Sequence, residues 1–201
     1  LSMRTIGLAG GIATGKSEVA GIMEGLGAKV VDADMLSRDA VAPGMPALLK
    51  LTGLFGSGIL NNDGSLDRQA VRSMVFSDRK KLCQLESVMH PAIKELALAR
   101  LDALRTAGTA VSVYMAPLLI EAGATDRVDE VWVVTVRPEI QIKRLVERDG
   151  CSMEEAKRIV EAQMPLNEKA KHGIVLIDNS RTLEETRIQV IEAWKSRGLS
   201  T

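Results

Sequence analysis

Arg4-Thr5-Ile6-Gly7-Leu8-Ala9-Gly10-Gly11-Ile12-Ala13-Thr14-Gly15-Lys16-Ser17-Glu18-Val19 is the stretch that decides the fold. Arg4 to Leu8 is a short β-type run, and Gly10 to Ser17 satisfies the pattern G-x-x-x-x-G-K-S. Val19, Ile22, Met23 and Leu26 then recur at helical spacing, and Gly27 supplies the stop. Strand, glycine-bounded loop and amphipathic helix in that order form a phosphate cradle. The glycines let backbone N–H groups wrap the phosphates, and the helix N-terminus adds the positive end of its dipole. Lys16 contributes a mobile cation, and the Ser17 hydroxyl can coordinate Mg²⁺. A plain strand-to-helix turn would not require Lys-Ser at its end, so the loop reads as a binder of ATP or GTP. Gly11, Ile12, Ala13, Thr14, Gly15, Lys16, Ser17 and Glu18 are its expected nucleotide-binding residues.

Further strands are expected at Lys29 to Asp32, Ala110 to Met115, Glu130 to Val136 and Ile174 to Ile177, alternating with helices. That alternation predicts an α/β fold, a parallel five-stranded sheet flanked by helices. Met35 to Thr106 reads mainly helical, punctuated at Pro43-Gly44-Met45-Pro46 and Asn61-Asn62-Asp63-Gly64, and is longer than a crossover needs. A helical insert also follows the fourth strand, with Pro138 at a first helical position and Ser152-Met153-Glu154-Glu155 as a capping box; Pro165 ends it. Thr182-Leu183-Glu184-Glu185 starts the last helix, which Gly198 closes. The expected organisation is a nucleotide-binding core of 3–34, 107–137 and 171–201, a helical acceptor-binding subdomain of 35–106, and a helical lid of 138–170.

A chain of 201 residues, 46% hydrophobic and 26% charged, can bury a proper core. Lys+Arg and Asp+Glu both total 26, which argues against a broad basic surface for nucleic acid. There is no apolar run of membrane-spanning length and no secretory pattern, so the expectation is a cytoplasmic protein. Leu1-Ser2, ahead of Met3, reads as an added remnant. Cys83 and Cys151 lie apart from any metal-ligand spacing and read as bystanders. With aromatics at 2%, adenine is expected against aliphatic side chains or an Arg plane.

Val31-Asp32-Ala33-Asp34 sets two carboxylates at the exit of the second strand, where open parallel sheets collect their active sites. Strand alternation would point them in opposite directions. Phosphoryl transfer to a hydroxyl needs an acceptor for the hydroxyl proton, so Asp34 is read as the general base and Asp32 as a helix cap. Arg144 and Arg148, four residues apart after Pro138, can present two guanidinium groups to one ligand or form a solvated face with Glu147 and Asp149. Pro91 can begin a helix that carries Lys94, and His90 before it reads either as a buried hydrogen-bonded residue or as a ligand contact. Arg38, Arg68 and Arg72 divide between acceptor contacts and surface charge.

From Arg4 to about Asn179 the chain resembles the dephospho-CoA kinase family. The motifs that carry the resemblance occur in order: the Gly10–Ser17 loop, Val31-Asp32-Ala33-Asp34, Phe55-Gly56, Asn62-Asp63-Gly64-Ser65-Leu66-Asp67-Arg68, Met89-His90-Pro91-Ala92-Ile93, Pro117-Leu118-Leu119-Ile120-Glu121, Arg144 with Arg148-Asp149, and Ile177-Asp178-Asn179. The resemblance implies a P-loop NTPase-type core with a CoA-binding insert and a lid, acting on the ribose 3′-hydroxyl of dephospho-CoA with ATP and Mg²⁺. It implies Asp34 as base, Lys16 and Arg144 as phosphate-stabilising cations, Ser17 as the metal ligand, and Arg148 and Asn179 on the nucleotide. It further implies Asp34, Arg38, Arg68, His90, Pro117 and Leu118 on the acceptor; apart from the resemblance, the expectation is a monomer or weak homo-oligomer without nucleic-acid or membrane partners. Ala13 stands where the family's loop usually has Gly, a replacement that a negative φ would tolerate. Glu18 replaces the usual Thr and can face solvent or the triphosphate. Lys171-His172-Gly173-Ile174-Val175 departs from a commoner Ala-Asp pair. The rival readings are another small-molecule or nucleoside monophosphate kinase, which would not need the long insert, and a nucleotide switch, for which a guanine-specifying Asn-Lys-x-Asp run is missing.

Overall fold

A computed structural model describes residues 3–76 and 78–199, so Leu1-Ser2 lie outside the described residues. The strands are β1 (Arg4–Gly10), β2 (Lys29–Asp32), β3 (Val111–Met115), β4 (Glu130–Thr135) and β5 (Val175–Asp178). They form one five-stranded sheet in the order β2-β3-β1-β4-β5, every pair parallel. β1, β3 and β4 are covered on both faces, which is why they read as apolar runs and not as alternating patterns.

Two helices close one face of the sheet: α1 (Lys16–Gly25) and, last in the chain, α9 (Leu183–Ser196). Val19, Ala20 and Met23 of α1 and Val190 and Trp194 of α9 share a core with Ile6, Leu8, Val113, Trp132 and Ile177 of the strands. Aliphatic side chains make up the rest of this core, which holds both tryptophans of the chain.

The chain divides into two compact units, one running to Asp32 and resuming at Leu101, the other Ala33–Arg100. The second unit holds α2 (Ala33–Asp39), α3 (Pro46–Phe55), α4 (Arg68–Phe76) and the first part of α5 (Arg79–Thr106). Its own core consists of Val41, Ala47, Leu48, Leu51, Ile59 and Val71. Asp67 caps α4 by accepting the Ala70 N–H at 2.9 Å, and the Asn61–Gly64 punctuation is a turn in which Asp63 Oδ1 accepts from Ser65 N at 2.9 Å. The Ser65 hydroxyl, which donates to the same oxygen at 2.6 Å, and then the Ser65 N–H hold the Asp63 carboxyl below the ordinary aspartate range.

Pro91 does not begin a helix; it lies inside the continuous α5. An interior proline withholds one N–H from the helix ladder, but Leu85, Val88, Met89 and Ala92 on either side pack against the second core and carry the helix through.

In the first unit, Pro138 opens α6 (Pro138–Asp149), and Ser152 with Glu155 forms the expected capping box on α7 (Met153–Glu161). α7 stops at Glu161, four residues before Pro165, which instead caps a single further turn, α8 (Leu166–Ala170). Thr182 and Glu185 box the start of α9.

Candidate active site

The loop Gly10–Ser17 leaves the C-terminal end of β1, which is the central strand, and feeds α1. Gly15 caps α1 with φ 86°, and a Cβ there would lie 2.0 Å from Asn179 Nδ2, so only glycine fits. Lys16 Nζ folds over the loop and donates to the Gly11 carbonyl at 2.7 Å and the Gly10 carbonyl at 3.2 Å. The Thr14 hydroxyl, fully buried, donates to Gly11 O at 2.9 Å. Ser17 is exposed in the first turn of α1.

Ala13 does not meet the condition of a negative φ under which it would replace glycine freely. Its φ is 56°, the only positive value on a non-glycine among the described residues. The curvature of the loop demands left-handed backbone there, and alanine adopts it at a cost of about 1 kcal/mol.

Glu18 is exposed, yet its carboxylate is held by a hydrogen bond. Its Oε2 accepts from Asn179 Nδ2 at 2.9 Å. The same Nδ2 donates to the Thr14 carbonyl at 2.9 Å, and Asn179 Oδ1 accepts the fully buried Thr186 hydroxyl at 2.7 Å. Asn179 was expected on the nucleotide; it is 1% exposed with both ends of its amide engaged, and it braces the loop from beneath.

Two residues absent from the sequence reading hold Ile12. Gln141 Nε2, on α6, donates to the Ile12 carbonyl, and the Ile12 N–H donates to Gln163 Oε1, each at 2.8 Å. Gln141 is 3% exposed. A mid-helix Gln among charged neighbours gives no signal of this in the sequence. Beside Gly11 lies a cavity of about 540 Å³ lined largely by aliphatic side chains, among them Val136, Pro138, Val160, Met164 and Leu166.

The two arginines of α6 differ in setting. Arg144 Nη1 is buried and makes no hydrogen bond, so a cationic donor is held out of water without a partner. Arg148 is exposed and grips the adjacent Asp149 through Nε at 2.6 Å and Nη2 at 2.9 Å. That contact raises the Arg148 pKa and lowers that of Asp149. The pair therefore does not present two free guanidinium groups; Arg148 follows the solvated alternative.

Pro117 and Leu118 open the turn after β3, Pro117 half-buried and Leu118 49% exposed. Ala116 N donates to Leu8 O at 3.2 Å, so this turn starts beside β1.

Asp34, Arg38, Arg68 and His90 belong to the second unit. β2 ends at Asp32, and Asp34 lies in the first turn of α2, so strand alternation does not set its direction; the helix does. Asp34 is exposed, as are Arg38 in the last turn of the same helix and His90 on α5, which removes the buried reading of that histidine. Arg68 Nη2 donates to Ser37 O at 3.5 Å.

Among the described residues no group of three His, Cys, Asp or Glu side chains converges as a metal site. A hydroxyl at the start of α1 instead suits Mg²⁺, which prefers few protein ligands and completes its shell with phosphate oxygens and water.

The family model for dephospho-CoA kinase matches residues 4–185. The chain is 53% identical over 195 residues to the dephospho-CoA kinase of Geobacter sulfurreducens, covering 97% of this chain and 99% of that one. Among solved structures it resembles TT1252 from Thermus thermophilus, with a TM-score of 0.85, 31% identity and 98% of each chain covered. It also resembles the dephospho-CoA kinase of Campylobacter jejuni, with a TM-score of 0.74, 27% identity and 98% of each chain covered.

Proposed function

This chain belongs to the dephospho-CoA kinase family, and from that premise we propose that it phosphorylates the ribose 3′-hydroxyl of dephospho-CoA with ATP. The products are CoA and ADP, and the step is the last of coenzyme A synthesis. The observation that carries the reading is the Gly10–Ser17 loop at the end of the central strand, with the Lys16 ammonium folded over its carbonyls. Backbone N–H groups and Lys16 take the phosphates of ATP. Ser17 Oγ would be the protein ligand for Mg²⁺, which would supply neutralisation of phosphate charge when bound.

The acceptor hydroxyl gives its proton to the Asp34 carboxylate as its oxygen bonds to the γ-phosphorus. The bond from that phosphorus to the ADP oxygen breaks, and ADP leaves. Asp34 then returns the proton to solvent. The support for Asp34 is its exposed carboxylate two residues beyond the C-terminal end of β2, the edge of a parallel sheet where such chemistry gathers. Arg144, with a buried and unpaired Nη1, supplies positive charge to the phosphoryl in transit. Arg38, Arg68 and His90 meet the acceptor, whose diphosphate suits guanidinium donors, together with Pro117 and Leu118. The setting is a cytoplasmic monomer or weak homo-oligomer with no nucleic-acid or membrane partner, and no helix among the described residues is long and apolar enough to cross a membrane.

Incubation with Mg-ATP and dephospho-CoA is expected to yield ADP and CoA, identified by mass spectrometry. Asp34→Asn should retain ATP affinity while turnover falls by about 10²-fold or more. Turnover of a different acceptor with no CoA formed would overturn the acceptor assignment and leave the kinase reading standing; full turnover in Asp34→Asn would remove Asp34 as base.

A further inference from the structure

Lys169 is the most deeply buried charged side chain among the described residues, at 0% exposure, and nothing in the transfer chemistry uses it. It sits at the end of α8, a helix of five residues. Its ammonium makes an ion pair with Glu121 Oε1 at 2.7 Å and donates to the Pro117 carbonyl at 3.0 Å. Both partners belong to the turn that leaves β3. Because β3 lies between β1 and β2, that turn flanks the phosphate loop on one side and the Asp32 end of β2 on the other.

Stability is a poor account of this arrangement. Burying an ammonium costs heavily, and a buried ion pair is commonly matched or bettered by apolar side chains of the same volume. What the contact does secure is geometry. Six residues upstream, Gln163 accepts the Ile12 N–H of the phosphate loop at 2.8 Å. The segment from Gln163 to Lys169 is thus pinned at one end to the loop that takes the nucleotide and at the other to the turn that carries Pro117 and Leu118. From 52 residues beyond Pro117, Lys169 fixes the spacing between the two.

We propose that Lys169 is a positioning residue for the acceptor: it holds the Pro117–Glu121 turn in the conformation that receives dephospho-CoA. The proposal rests on the acceptor assignment made above for Pro117 and Leu118. It predicts an effect confined to the acceptor side, since Gln163 keeps its own hold on Ile12.

The test is steady-state kinetics of Lys169→Met and of the double variant Lys169→Met/Glu121→Gln, varying each substrate in turn, with thermal melts of both proteins. Lys169→Met leaves the Glu121 carboxylate without its cation and should melt earlier. The double variant removes both charges and should recover most of the melting temperature. In both, KM for dephospho-CoA should rise about tenfold while KM for ATP stays within about twofold. A double variant that regains stability yet keeps the raised dephospho-CoA KM is the result expected of a positioning residue. An unmoved dephospho-CoA KM in the double variant, or both KM values rising together, overturns the proposal. If the wild-type protein makes no CoA at all, the acceptor assignment falls and this inference falls with it.

Discussion

At the scale of single residues, Ala13 is where local preference and loop geometry conflict. Its φ of 56° lies in the left-handed region, at a cost to alanine of about 1 kcal/mol. Glycine would remove that cost but would give the unfolded chain more freedom, offsetting about 0.4–1 kcal/mol. Ala13→Gly should therefore raise stability only slightly, by about 0.5 kcal/mol in urea unfolding. A clear loss of stability would mean that the Ala13 methyl group makes packing contacts worth more than the strain. The motif itself was legible from residue types, because each glycine, Lys16 and Ser17 answers to one requirement of holding phosphate. The sign of φ at Ala13 was not, since it depends on how the whole loop closes onto Asn179 and the two glutamines. Asn179 illustrates the same limit. The sequence offered Asn179 only as a nucleotide contact implied by the family resemblance, and its hydrogen bonds to Thr14, Glu18 and Thr186 show a bracing role that no residue pattern announces.

At the scale of elements, local signals worked where they act over three or four residues. Ser152 with Glu155 and Thr182 with Glu185 form reciprocal capping boxes at the starts their spacing announced. Pro91 misled because α5 is decided by the packing of Leu85, Val88, Met89 and Ala92, contacts that a proline rule does not see. The boxes also carry a pH dependence. The backbone N–H groups of Ser152 and Thr182, and then their hydroxyls, hold Glu155 and Glu185 below the ordinary glutamate range. A carboxylate whose folded pKa is depressed adds stability above its unfolded pKa and loses it as pH falls through the folded value. Between about pH 5 and pH 3, unfolding free energy should therefore decline less steeply with acid in Glu185→Gln than in the wild-type protein. Urea titrations at a series of pH values measure this, and identical slopes would show that the α9 box does not titrate with folding.

At the scale of the whole molecule, the alternation of strands and helices was enough to foresee one parallel sheet, and the surplus of chain after β2 was enough to foresee a helical insert. Patterning did not show that the two units have separate cores, one built on the strands with α1 and α9, the other on Val41, Ala47, Leu48, Leu51, Ile59 and Val71. Separate cores imply separate openings. Leu51 is fully buried in the smaller core, and Leu51→Ala should cost about 2–5 kcal/mol there by removing contacts that the surrounding helices cannot fully recover. If the units open independently, native-state hydrogen exchange will lose protection in α3 and α4 while β1, β3 and β4 keep theirs, since local opening does not draw on contacts in the other core. ATP affinity, a property of the first unit, should then be retained. Turnover of dephospho-CoA should fall, because Asp34, Arg38, Arg68 and His90 all depend on the weakened unit. Equal loss of protection in the strands and in α3 would mean that the chain opens as one cooperative body, and ATP binding would then weaken in step with turnover.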